Sequence, residues 1–88
     1  MRGLLGRKEL PSGDGILLRP AGSVHTFFMR FPIDVMFLDR ELRVLDIAAE
    51  VRPWRTRGAR GAKAVLELTA GECARRGLEA GDLLTLGD

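Results

Sequence analysis

The run Ile33-Asp34-Val35-Met36-Phe37-Leu38, followed by Asp39-Arg40-Glu41 and then by Leu42 to Ala49, decides the fold. The first segment is six residues long, apolar at five positions, and rich in β-branched and aromatic side chains, which fit a pleated surface. The second is of similar character, and three polar residues between them make a short turn. Together they predict an antiparallel hairpin. Working outward, Ile16 to Arg19 is a short apolar strand closed by Pro20-Ala21-Gly22, and Ala64 to Leu68 is another. Residues 24–31 read as extended up to Pro32, which marks an edge, a bulge or a bend.

The remaining segments are recognised by their punctuation. Residues 2–10 have the composition of a short helix weakened by Gly3 and Gly6. Pro11 to Gly15 reads as a turn. Thr69 with Glu72 three residues on has the form of a capping box. Arg75 and Arg76 suit a helix C-terminus, and Gly77 supplies the stop. Ala80-Gly81-Asp82 turns into a last strand, Leu83 to Leu86. Short strands in this number, with little helix, exclude a doubly wound sheet. They predict an α+β fold: a curled, mostly antiparallel β-sheet or small partly open barrel with one or two short helices.

Composition narrows the function classes. Eighty-eight residues, 45% hydrophobic and 30% charged, make one globular domain, residues 1–88, rather than a disordered chain. A domain of this size buries only about 60–65% of its unfolded surface, so a shallow surface site is expected rather than a deep internal pocket. Net charge is +2, and only Lys8 and Lys63 of the fourteen basic residues are lysine. One cysteine, Cys73, excludes an internal disulfide. No apolar run approaches the ~18 residues of a membrane span. With no apolar signal segment after Met1, the expected location is the cytoplasm, and the expected state soluble.

Four side chains are candidates for a ligand site. Asp34 is the one carboxylate in its strand, sharing a face with Met36 and Leu38. A buried carboxylate there either accepts backbone N–H bonds near the Pro32 bend or belongs to a polar site. Glu67, alone among Val65, Leu66 and Leu68, is either a half-exposed strand residue or the partner of an arginine or a ligand. His25 is the only histidine. Ser23 on the same strand face lies about 7 Å away, too far for a nucleophile–base pair. Arg30 supplies a cation. No cofactor and no metal is called for: HExxH, CxxC and a second histidine are all absent.

Residues 52–63 form a separate candidate. This stretch carries Arg52, Arg55, Arg57, Arg60 and Lys63, with Trp54 among them and no acid. It reads as an exposed, irregular basic loop. Arginine beside an exposed aromatic is one way to grip a single-stranded nucleic acid or an anionic surface, although a loop of solvated charges looks the same. The leading expectation is therefore a binding module for a small polar ligand or a partner protein, built on His25, Arg30, Asp34 and Glu67. An acid–base enzyme using Asp34 and Glu67 with His25 is the alternative, requiring the carboxylates to be close. Nucleic acid at residues 52–63 ranks third.

The ordered motifs also resemble one family, a bacterial and archaeal group named domain of unknown function 192. The resemblance rests on Arg2-Gly3-Leu4-Leu5-Gly6-Arg7 and on Gly15-Ile16-Leu17-Leu18. It continues through His25-Thr26-Phe27-Phe28-Met29-Arg30-Phe31-Pro32-Ile33-Asp34-Val35-Met36-Phe37-Leu38-Asp39 and Val65-Leu66-Glu67-Leu68-Thr69-Ala70-Gly71, and ends at Gly77 and Gly81-Asp82. It implies a compact β-rich α+β domain and no particular activity. Many relatives carry an export signal, and none is expected from the segment after Met1 here. Many also have Phe-Trp-Met-Lys-Asn-Thr in place of Phe27-Phe28-Met29-Arg30-Phe31-Pro32. The basic position remains as Arg30, while the polar pair after it is lost, so a site built from that pair does not carry over.

Overall fold

The structure is a computed structural model that describes residues 7–10, 15–26 and 30–86. Residues 2–6 of the expected helix, Pro11 to Asp14 of the expected turn, and Phe27 to Met29 lie outside those residues. The strands are β1 (Arg7–Leu10), β2 (Ile16–Leu18), β3 (Ser23–His25), β4 (Ile33–Leu38), β5 (Val44–Val51), β6 (Thr56–Gly58), β7 (Ala64–Thr69) and β8 (Leu83–Leu86). The one helix among the described residues is α1 (Glu72–Arg75).

A four-stranded antiparallel sheet in the order β2-β7-β4-β5 forms the centre. The expected hairpin is its β4–β5 pair, with Met36 opposite Ile47 and Phe37 opposite Asp46. On the other side β4 pairs with β7, Ile33 opposite Thr69 and Leu38 opposite Ala64. Strand β1 runs parallel to β8, and an Arg43–Leu83 bridge joins β8 to the start of β5. Strands β3 and β6 form a separate antiparallel pair. The sheets curl without closing into a barrel.

Every residue of β4 is buried, because both faces of the sheet are covered. Met36 and Leu38 share one apolar cluster with Leu66, Leu68, Leu10, Cys73, Leu78 and Leu84, so α1 and the β1–β8 pair cover that face. Ile33, Val35 and Phe37 join Val24, Val51 and Val65 on the other face, beneath the β3–β6 pair. A strand covered on both sides reads as a continuous apolar run, which is the pattern of residues 33–38.

Three local expectations need correction. Residues 7–10 are strand, not helix: their amides join a ladder with β8, and glycines before them had already weakened the helical alternative. Residues 52–63 are not wholly irregular, because Thr56–Gly58 pairs with β3. The capping box does not form. The N-cap is Gly71, at φ 90°, with no side-chain cap of its own, while the Glu72 carboxylate bonds Arg75 and Arg76. The other end of α1 follows expectation: Gly77 has φ 67°, and Leu78 N donates to Cys73 O at 2.9 Å. Gly15 fills a position without room for a side chain, since a Cβ there would lie 2.6 Å from Leu68 Cδ2 and 2.8 Å from Glu67 O.

Candidate functional site

The register separates the two carboxylates. Paired residues share a face, and Asp34 pairs with Leu68 while Glu67 pairs with Val35. Asp34 therefore points to the side of α1, and Glu67 to the side of the β3–β6 pair. The acid–base alternative required them to lie together, and the sheet stands between them.

Asp34 is 1% exposed, and its carboxylate is occupied by main chain. Oδ1 accepts from Glu50 N at 2.8 Å and Gly71 N at 3.1 Å, and Oδ2 from Cys73 N at 2.9 Å. Two causes bring these donors together. A register shift between Ile33 and Val35 bulges β5, with Glu50 at φ 51°, and turns an amide inward. The amides of Gly71 and Cys73 are orphan donors at the start of α1, which have no partner within the helix. Asp34 thus caps a helix from a neighbouring strand and holds a bulge with the same group. The expected alternative, main-chain acceptance, describes this carboxylate, but its donors come from residues 50, 71 and 73 rather than from the Pro32 bend.

The same arrangement acts on the neighbouring buried thiol. Burial, and then the Asp34 carboxylate beside it, push the Cys73 thiol up to about 12. Glu67 is half-buried, and burial raises its carboxyl above the usual range. It makes no side-chain hydrogen bond or ion pair among the described residues. No group of three His, Cys, Asp or Glu side chains among the described residues has the arrangement of a metal site.

The other candidates gather at one end of the sheet. Thr26, 1% exposed, organises it. Its Oγ1 accepts from Arg55 N at 2.8 Å and lies 2.8 Å from Arg52 O, and its carbonyl accepts from Trp54 N at 2.8 Å. These bonds clamp the turn Arg52-Pro53-Trp54-Arg55. Trp54 has φ 65°, as at the third position of a type II turn, where glycine is the ordinary occupant. The side chain so presented is 63% exposed. His25, on β3, pairs across to Thr56, with Nδ1 3.2 Å from Thr56 Oγ1. Arg30 and Phe31 precede Ile33, and Ile33 pairs with Val51 just before the turn. Arg30 is four residues from Thr26, hence within about 14 Å of it even at full extension. Arg30, Phe31, Arg52, Arg55 and Arg57 are all exposed, and none of the arginines is in an ion pair among the described residues. Arg60 is exposed too, but beyond β6, towards β7.

The turn Arg52–Arg55 thus lies next to the β3–β6 pair that carries His25, while Arg57, paired with Val24, lies on the other face of that pair from His25; Asp34 and Glu67 are not part of this surface. Sequence reasoning missed Phe31, 58% exposed, and the clamp role of Thr26. Pro53 at the second position of the turn was the one available signal for the clamp. Nothing local marks Thr26 as buried.

The sequence profile of the domain of unknown function 192 family, described as uncharacterized ACR, matches residues 1–86. The chain belongs to this family. Its relatives include a UPF0127 protein of Thermococcus sibiricus, 41% identical over 61 residues, which are 68% of this chain and 39% of that protein. A crystal structure of a protein of unknown function from Novosphingobium aromaticivorans is similar with a TM-score of 0.71 and 31% identity. The match covers 81% of this chain and 57% of that one. The chain therefore spans about two-fifths of the first relative's length and somewhat over half of the second's. That similarity covers the curled, mostly antiparallel arrangement described above. Among the described residues no helix is long and apolar enough to cross a membrane.

Proposed function

We propose that this domain is a binding module for a partner protein with an acidic surface, and that Trp54 is its anchor. The supporting observation is the state of Trp54: a large aromatic side chain, 63% exposed, on a left-handed backbone. Left-handed geometry costs an L-residue about 1–2 kcal/mol, and here buried Thr26 holds it. Tryptophan and arginine are the residues most enriched at interface hot spots. Arg52 and Arg55 flank Trp54 in the turn, and with the exposed Arg30 and Arg57 they supply positive potential, which would steer an acidic partner and fix its orientation. His25 and Phe31 extend the same surface.

The test is photo-cross-linking in the producing cells, with the reactive group at Arg57 and, as a control, at Ala80. The expected result is a discrete protein adduct from position 57 that disappears in Trp54→Ala. Adducts from position 57 that vanish on nuclease treatment would replace this reading with single-strand nucleic-acid binding, since the same residues suit stacked bases. Adducts equal at both positions, or insensitive to Trp54→Ala, would remove the anchor role.

A further inference from the structure

At the opposite end of the sheet lies an open cavity of about 250 Å³, lined by Arg19, Pro20, Asp39, Arg40, Lys63 and Ala64. The topology makes it. Strands β2, β7 and β4 are consecutive neighbours, and Leu18 and Leu38 pair with Val65 and Ala64 respectively. Continuing those registers by one residue brings the end of β2, the start of β7 and the end of β4 to one edge. Lys63 sits in the middle, its backbone tied to both sides: Lys63 N donates to Leu38 O at 2.8 Å and Ala21 N donates to Lys63 O at 3.0 Å. Arg19, just after β2, and Arg40, in the turn after β4, line the cavity with it.

Three cationic residues therefore line one cavity, and none is in an ion pair among the described residues. The one acid of the lining offsets only part of this charge. Asp39 Oδ1 accepts from Glu41 N and Arg43 N, both at 2.9 Å, so that carboxylate is turned into its own loop. Crowded like charges raise one another's energy, and an anion placed among them relieves it. Pro20, Ala64 and the aliphatic stems of the basic side chains give the cavity apolar walls.

We propose that this cavity is a binding site for a small phosphate dianion, held by Arg19, Arg40 and Lys63. Three positive charges against one negative leave an excess of two, which matches a phosphate or a phosphate monoester. Arginine offers the fork that pairs with phosphate oxygens, and lysine a point charge between the two forks. The volume is below the ~300–1,000 Å³ of sites for drug-sized ligands, which selects a small molecule over a nucleotide. This site is separate from the Trp54 end and does not depend on the partner reading.

The test is a titration of the full chain followed by amide nitrogen–proton correlation spectra at constant ionic strength. Inorganic phosphate and glycerol 3-phosphate are the two probes, with sodium chloride as the reference. The expected result is saturable shifts at residues 19–22, 39–41 and 63–64, with Kd in about the millimolar range or tighter. Arg40→Gln and Lys63→Gln each weaken binding by about tenfold or more while the spectrum stays dispersed. Tighter binding of inorganic phosphate assigns the free ion as ligand, and tighter binding of glycerol 3-phosphate assigns a monoester. Shifts that grow linearly with concentration, that sodium chloride reproduces, or that survive in the Arg40→Gln/Lys63→Gln double variant would overturn the assignment.

Discussion

Replacing Asp34 by asparagine tests whether this carboxylate serves the fold. The substitution keeps the shape and one carbonyl oxygen, enough for the amides of Glu50 and Gly71. It removes the charge and sets an NH2 donor against Cys73 N–H, which Asp34 Oδ2 now accepts at 2.9 Å. Hydrogen bonds to a charged acceptor contribute about 1.5–3 kcal/mol each, and an orphaned buried donor costs about 1–3 kcal/mol. The three bonds share one group and are not additive. Asp34→Asn should therefore cost about 2–3 kcal/mol, and Asp34→Ala, which orphans all three donors, about 4–6 kcal/mol. A chain of this size has a total stability of about 4–13 kcal/mol, so the alanine variant approaches the unfolding limit and asparagine is the better probe. Urea unfolding followed by circular dichroism reads the global loss, and Tm should fall by about 10–20 °C. Amide hydrogen exchange reads the local one: Glu50, Gly71 and Cys73 should lose more protection than the β4–β7 ladder. An asparagine variant within about 0.5 kcal/mol of the parent, a change typical of an unremarkable surface substitution, with those three amides still protected, would refute the capping argument.

Glu72 and Glu67 should give pH dependences of opposite sign. Arg75 and Arg76 hold the Glu72 carboxyl at about 2 against an ordinary 4.5, so its stabilising contribution is complete above pH 4.5 and is lost as pH falls towards 2. Glu72→Gln should flatten the acid side of the stability curve over that interval, and an unchanged slope would exclude the pairing as its cause. Glu67 is raised by burial, so the folded state favours its protonated form and stability is lost as pH rises above 4.5. Glu67→Gln should gain relative to the parent as pH rises through that region, and a loss at neutral pH would mean that the carboxylate has a partner. Cys73, pushed up to about 12, should resist thiol reagents at pH 8 in the folded protein and react in urea; rapid labelling of the native state would contradict its burial. Trp54→Gly should change Tm little, because glycine accepts φ 65° without strain and so offsets contact that the ring gives up. A drop beyond about 1 kcal/mol would make Trp54 a packing residue instead of a presented one.

Much of the fold was legible because its signals are local. The β4–β5 hairpin follows from two apolar runs and a polar turn, and the α1–β8 connection from Gly77 and Gly81. What was hidden depends on contacts distant in sequence. Thr69 and Glu72 satisfy the capping-box pattern, yet the helix starts at Gly71 and its free amides at Gly71 and Cys73 are taken by Asp34, on another strand. Strands β3 and β6 are three residues each, and β6 is exposed throughout, so no alternation betrays their pairing. The opposition of Asp34 and Glu67 required the β4–β7 register: a slip by one residue would have put both on the same face. The cluster of Arg19, Arg40 and Lys63 was invisible for the same reason, since these residues are far apart in sequence and meet only because β7 lies between β2 and β4.

The placement of both proposed surfaces follows from what β4 cannot offer. Its six residues are buried on both faces, and its only ionisable group is bound by three amides. A domain this small cannot hollow out its centre for a ligand without losing the apolar burial that folds it. Both proposed sites accordingly lie at the ends of the central strands, where loops gather and side chains reach solvent. Six residues of strand separate those ends by about 20 Å. At one end a buried threonine clamps a turn that exposes a tryptophan, and at the other three strand termini bring cations around a cavity. In each case the rigid sheet sets the position and an exposed group is left to make the contact, the division expected when a scaffold carries function on its rim.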